Sequence, residues 1–180
     1  MGTTAGAAPA DELKSTAVSV LQAMLTNDRI GIAEYEHAVE RVLDAATEAQ
    51  LSDVLRALPP PVAMTPADRR LDQPLKIRGG TGRLRLDRRW QLARQTSIRA
   101  ELGSVTIDLG EAEFDGREID LNVYTGWGSI TLFVPPGVGV QLLRTRGKVI
   151  SRIDPPIPGF PLVKLRAQTN LGRIRLRSRE

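Results

Sequence analysis

Five short stretches of the chain place a glycine two residues before an apolar residue and then continue in alternation. Gly82 precedes Leu84, Gly103 precedes Val105, Gly128 precedes Ile130, Gly147 precedes Val149 and Gly172 precedes Ile174. The glycines stand 21, 25, 19 and 25 residues apart. A second alternating run lies in front of each: Leu75/Ile77, Ile98/Ala100/Leu102, Ile119/Leu121/Val123, Val140/Leu142 and Val163/Leu165/Ala167. Side chains alternate between the two faces of a strand, so each unit reads as strand, glycine turn, strand. Glycine suits the turn because a β-carbon would obstruct a sharp corner. Repeats of this length that cannot bury an apolar face alone do so by covering one another. Alternation directs Val105, Ile107 and Leu109 inward and Ser104, Thr106 and Asp108 outward, and Pro135-Pro136 stops the third unit because proline cannot donate to a ladder. Residues 75–178 are therefore expected to form an all-β domain of stacked repeats, a small β-solenoid or β-helix. A twisted β-sandwich of meanders is the alternative, differing mainly in strand pairing.

The first third of the chain has a different period. Leu13, Ala17, Val20, Leu21, Met24 and Leu25 recur at spacings of three and four, as do Ile32, Tyr35, Val39, Val42, Leu43 and Ala46. A helix is expected from Asp11 to the break at Thr26-Asn27-Asp28, and a second from about Ala33 to Ala45. Thr47-Glu48-Ala49-Gln50 fits a capping box. It opens a third helix that would bury Leu51, Val54, Leu55 and Leu58. Pro59-Pro60-Pro61 ends it, and residues 59–74, with five prolines, read as a semi-rigid linker. The expected organisation is α+β: a three-helix module over 9–58, the linker over 59–74 and the β-repeat domain over 75–178.

Charge divides at the same place. Residues 1–60 hold 4 Lys and Arg against 9 Asp and Glu, a net −5, and residues 61–180 hold 21 against 12, a net +9. Two surfaces of opposite sign are implied. Within the basic half, Arg83 and Arg85 alternate with Leu84 and Leu86, and Arg173, Arg175 and Arg177 with Ile174 and Leu176, so both sets project outward. One reading makes them a dock for an anionic partner. The other takes them as terminal units, where charged side chains discourage edge-to-edge pairing. Tyr124 and Trp127 flank the third turn, and Trp127 is either packed over the corner or presented to a partner.

Little in the chain points to catalysis. There is no cysteine, and the one histidine, His37, lies beside Glu36 and Glu40 on a helix surface in the acidic half. Glu111 and Glu113 stand in a link between strands, and Gly79-Gly80-Thr81-Gly82 lacks the Gly-Lys-Ser/Thr ending of a phosphate cradle. No metal or cofactor is expected, and the chain is read as non-enzymatic. Aromatic content of 4% offers no stacking platform, which argues against nucleic acid. No apolar run approaches the roughly 18 residues of a membrane span, and a cytoplasmic protein, peripheral to the membrane at most, is expected.

Asp28-Arg29-Ile30, Glu34-Tyr35, Glu40-Arg41-Val42, Thr47 with Leu51, and Ala57-Leu58-Pro59 match the order of a short helical domain of unknown function found at the N-termini of many actinobacterial proteins. Residues 101–150, with glycine-polar-Val-x-Ile-x-Leu, Ile-x-Leu-x-Val, a second glycine-polar-Ile-x-Leu, proline and a third glycine, resemble the C-terminal domain of LiaF-like proteins, the cell-wall-active antibiotic response family. That resemblance implies envelope-stress physiology, in which membrane-anchored relatives restrain a histidine-kinase system. The expected function is that of a protein-interaction or regulatory module whose partner is a membrane sensor or envelope protein. Self-assembly of solenoid ends into a homo-oligomer is the alternative, and binding of nucleic acid or another anionic surface comes third.

Overall fold

The computed structural model describes residues 10–66, 69–71 and 73–179. Pro9, where the helical module was expected to begin, and Ala67, Asp68 and Asp72 of the linker lie outside them. The chain divides into two compact units.

The helical unit holds α1 (Ala10–Thr26), α2 (Ile32–Asp44) and α3 (Glu48–Ala57). Leu13, Ala17, Val20, Leu21 and Met24 of α1 are buried as the periodicity requires, and so are Leu51, Val54, Leu55 and Leu58 at α3. In α2 the core face is rotated from the one read in the sequence. Ala38, Val42 and Ala45 are buried, whereas Ile32 is 69% and Leu43 57% exposed. The small side chains face inward, where helices approach closely, and the larger ones are left at the margin. Residues 157–160 also belong to this unit, adding buried Ile157 and Phe160 to its core. Thr47 caps α3, its hydroxyl accepting from the Gln50 amide at 3.2 Å, while Gln50 Oε1 accepts from the Ala46 amide at 2.8 Å. The reciprocal bond thus falls one residue earlier than in a capping box. Thr47→Ala is expected to cost about 1 kcal/mol, read from the denaturation midpoint of the helical circular-dichroism signal.

The β unit contains β1 (Leu75–Thr81), β2 (Leu84–Leu86), β3 (Trp90–Leu92), β4 (Gln95–Leu102), β5 (Val105–Asp108), β6 (Ala112–Phe114), β7 (Glu118–Trp127), β8 (Ile130–Val134), β9 (Gly139–Arg152) and β10 (Leu162–Ser178). Every strand pairing is parallel. Meanders would pair antiparallel, so the unit is a β-solenoid and the sandwich alternative falls. One wall runs β1-β4-β7-β10 and the other β2-β5-β8-β10. β10 contributes to both walls, its two halves lying on either side of the corner at Gly172. β3 and β6 form a short third wall, joined by a bridge from Met64 to Phe114. Val62 is buried in the same core, and the Thr65 amide donates to the Phe114 carbonyl at 2.8 Å. Part of the Pro-rich segment is therefore bound into the solenoid.

The corner glycines all have positive φ: +115° at Gly82, +122° at Gly103, +144° at Gly128, +125° at Gly147 and +153° at Gly172. Thr125 and Thr169, both buried, donate to the carbonyls of Gly103 and Gly128 in the preceding layer, each at 2.8 Å. The layers do not stack in chain order. β10 pairs with β7 and β8 on one side and with β9 on the other, so the last repeat in sequence is internal and the fourth is at the end. Side chains of Val163, Leu165, Ala167 and Ile174 on β10 are 0% exposed. On the terminal β9, residues 141–148 are all exposed, and the register slips at Leu143.

Candidate interaction surface

Parallel register fixes which outward side chains meet. On the second wall Arg85, Thr106, Thr131 and Arg175 occupy successive positions of one row. At about 4.8 Å per strand, Arg85 stands roughly 14 Å from Arg175. Both arginine sets thus lie on this one wall, with β5 and β8 between them. Arg85 is ion-paired with Asp87 at 3.7 Å and belongs to an edge, as does Arg83.

Arg173, Arg175 and Arg177 are in a different situation. They sit on β10, which has a strand on each side, so protection of a free edge does not account for them. Lys148 lies directly opposite Arg173, and Arg152 opposite Arg177. Like charges placed across a ladder repel. None of these five cations has an ion pair among the described residues. The other half of the same strand is neutralised: Lys164 bonds Glu118 at 2.8 Å and Arg166 bonds Asp120 at 3.1 Å. The hydrogen bond to Glu118 raises the Lys164 pKa. At the end of β10, Arg179 is held by Asp108 at 3.3 Å and Glu111 at 2.6 Å, and its bond to Glu111 raises its pKa. Asp108 and Glu111, the acids at the end of this wall, are thus committed to Arg179. A shallow groove of about 670 Å³ beside them is lined by Phe133, Arg152, Arg177, Ser178 and Arg179.

The two aromatic candidates have separate fates. Tyr124 is half-buried on the first wall, with the Arg99 guanidinium 4.9 Å from its ring centroid and Asn170 Nδ2 donating to its hydroxyl at 3.4 Å. Trp127 is 62% exposed at the corner rather than packed over it. His37 is exposed on α2.

One buried group was not anticipated. Asp115, 1% exposed, has no hydrogen-bond partner among the described residues for either carboxylate oxygen. Arg70 Nε lies 4.0 Å away, and Arg94 Nε donates to the Asp115 backbone carbonyl at 3.2 Å. A cleft of about 470 Å³ opens beside it. Arg70 thus stands at the outer limit of ion pairing with this carboxylate, while Arg94 holds the same residue through its backbone.

These features define a three-helix unit joined to a parallel β-solenoid, with an unneutralised basic patch on one wall. No family model matches the chain, and no solved structure does. Two curated proteins of Mycobacterium tuberculosis are similar to it, the uncharacterized protein MT0994 of strain CDC 1551 and the uncharacterized protein Rv0966c of strain H37Rv. Each is 30% identical over 120 residues, covering 63% of this chain and 58% of the relative. The chain thus matches less than two thirds of the length of either relative. Among the described residues no helix is long and apolar enough to cross a membrane.

Proposed function

We propose that this is a non-catalytic interaction protein of the cell-envelope stress response, and that the second wall of the solenoid receives an acidic segment of a protein partner such as a membrane sensor. The observation that carries the reading is the contrast along β10. Its first half is neutralised by Glu118 and Asp120, while Arg173, Arg175 and Arg177 face Lys148 and Arg152 without counter-charge. An acidic segment would relieve that repulsion and gain charge-assisted hydrogen bonds. The LiaF-like pattern of residues 101–150 supports the link to envelope stress. Self-stacking is less well supported, because both solenoid ends are basic: Lys76, Arg78, Arg83 and Arg85 at one, Arg144, Arg146, Lys148 and Arg152 at the other. End-to-end contact would set like charges together.

The test is in-cell crosslinking of the tagged chain in its native host, with and without a cell-wall antibiotic, beside an Arg173→Glu/Arg175→Glu/Arg177→Glu variant. The reading expects an envelope or sensor protein crosslinked through an acidic segment, with its yield changed by the antibiotic and reduced at least about tenfold in the variant. Binding of the purified pair should also weaken steeply with salt, as the Debye length falls from about 10 Å at 0.1 M to about 3 Å at 1 M. Recovery of the chain alone, or of a partner indifferent to the variant, rejects it.

A further inference from the structure

The corner between the two walls carries a second surface of different chemistry. Leu102 is paired in register with Trp127, and Trp127 with Leu171. These three side chains are 47%, 62% and 60% exposed. They form a continuous apolar ridge roughly 10 Å long at the strand spacing of about 4.8 Å. Alternation places Leu102 in the core, yet the chain turns at Gly103 before the alternation is complete, and Leu102 leaves the interior with Trp127 and Leu171. Since water-exposed apolar side chains are costly when grouped, a ridge of this composition marks a contact surface.

Its position selects the partner. The ridge is convex, standing on the outside of a turn, so it fits a surface that can be penetrated better than one that must supply a matching groove. On the adjacent β9 the same corner is Arg146-Gly147-Lys148, and Arg173 lies opposite Lys148. Arg146, Lys148 and Arg173 form no ion pair among the described residues. Glu101, the acid beside Leu102, is engaged by Arg99 at 2.8 Å. A tryptophan and two leucines flanked by free cations match the layered chemistry of an anionic bilayer, with headgroup phosphates above and acyl chains below.

We propose that this corner is a membrane-contact edge: Leu102, Trp127 and Leu171 enter the interfacial layer of an anionic lipid surface while Arg146, Lys148 and Arg173 meet its headgroups. Tryptophan suits that depth because its ring is apolar and its indole N–H stays near the polar layer. The proposal shares Arg173 and Lys148 with the acidic-partner site of the second wall but rests on the ridge, and Trp127→Ala separates the two because it leaves all of those cations in place.

The experiment is co-sedimentation of the whole chain with vesicles of phosphatidylcholine alone and of equal parts phosphatidylcholine and phosphatidylglycerol, with tryptophan quenching by brominated lipid as a second readout. Binding to the mixed vesicles is expected, with quenching that disappears in Trp127→Phe. Trp127→Ala and Leu171→Ser should each lower the partition coefficient by about tenfold or more. Lys148→Gln/Arg173→Gln should lower binding to the mixed vesicles, and circular dichroism should show every variant folded, because the replaced side chains are exposed. Failure of the wild-type chain to bind overturns the inference. So does binding that Trp127→Ala leaves unchanged, which would be charge attraction alone, and so does equal binding to phosphatidylcholine, which would remove the role of the cations. Crosslinking to an acidic protein partner that survives in Trp127→Ala would leave the proposal for the second wall standing in each of those cases.

Discussion

Gly128→Ala is expected to abolish stable folding of the β unit, and Gly103→Ala to do the same, while Gly82→Ala leaves it folded with a modest loss. All three positions have positive φ, at +144°, +122° and +115°, so each alanine carries a backbone penalty of roughly 1–3 kcal/mol. What separates them is the layer beneath. A β-carbon on Gly103 would overlap the carbonyl of Gly82, and one on Gly128 the carbonyl of Gly103, whereas among the described residues nothing lies within 4 Å of the position on Gly82. The obstructing atoms are backbone and cannot swing aside. The corner bonds from the Gly103 amide to the Trp127 carbonyl at 2.7 Å and from the Gly128 amide to the Leu171 carbonyl at 2.8 Å would be forced apart together with the walls they join. The added cost is expected to bring the total to about 4 kcal/mol or more, a large part of the 5–15 kcal/mol that holds a typical domain. Urea denaturation followed by tryptophan fluorescence makes the comparison, because the two tryptophans, Trp90 and Trp127, both lie in the β unit and report nothing of the helices. Equal losses at Gly82 and Gly128 would mean that local strain, not stacking, governs the corner.

That comparison also shows which parts of the structure can be read in one dimension. A positive-φ glycine, an alternating run and a proline stop are local, and the corners and inward residues such as Val105, Ile107 and Leu109 follow from them directly. The α2 face did not, because Ala38 and Ala45 carry less apolar weight than Ile32 and Leu43 in any periodicity count, though close helix packing favours the smaller residues. Spatial order of the layers was equally hidden, since parallel pairing depends on which strand is adjacent and not on which is next. A compositional trace of it exists. An internal layer is covered on both sides, and β10 supplies Val163, Leu165 and Ala167 before its corner and Ile174 and Leu176 after it, each set in inward alternation. β9 instead sets polar Thr145 opposite Ala167 and Ser151 opposite Leu176, and is rich in cations between them, the composition of an end. The exposed Trp127 could not be distinguished from a packed one because its neighbours Leu102 and Leu171 are brought beside it only by the register. Asp115 was silent for the same reason: Arg70 and Arg94 are distant in sequence and meet it at a corner.

Deleting residues 162–180 should unfold the β unit, an outcome opposite to that of trimming the last repeat from an array stacked in chain order, where a terminal repeat contacts a single neighbour. β10 occupies the inside of the stack. Without it, Ile119, Leu121 and Val123 of β7 and Ile130 and Leu132 of β8 lose the layer that covers them, and β9 loses the strand it pairs with. The five buried side chains removed with β10, Val163, Leu165, Ala167, Ile174 and Leu176, are each worth up to about 1.5–3 kcal/mol, less for the alanine. Their sum, roughly 10 kcal/mol, is comparable to the stability of a whole domain before the exposure of β7 and β8 is counted. Nor can β9 simply move into the vacancy. Thr145 and Ser151 would then occupy positions that β10 fills with Ala167 and Leu176, and Arg144 would lose the register slip at Leu143 that holds it outward. The helical unit keeps its own core in the truncated chain, including Ile157 and Phe160, so helical circular dichroism should persist while the native tryptophan emission is lost. Adding a synthetic peptide of residues 162–179 should restore that emission in a saturable manner, as the missing layer inserts between β8 and β9. A truncated chain that unfolds cooperatively with the midpoint of the intact protein would show that the repeats stack in chain order after all, with β9 against β7 and β8.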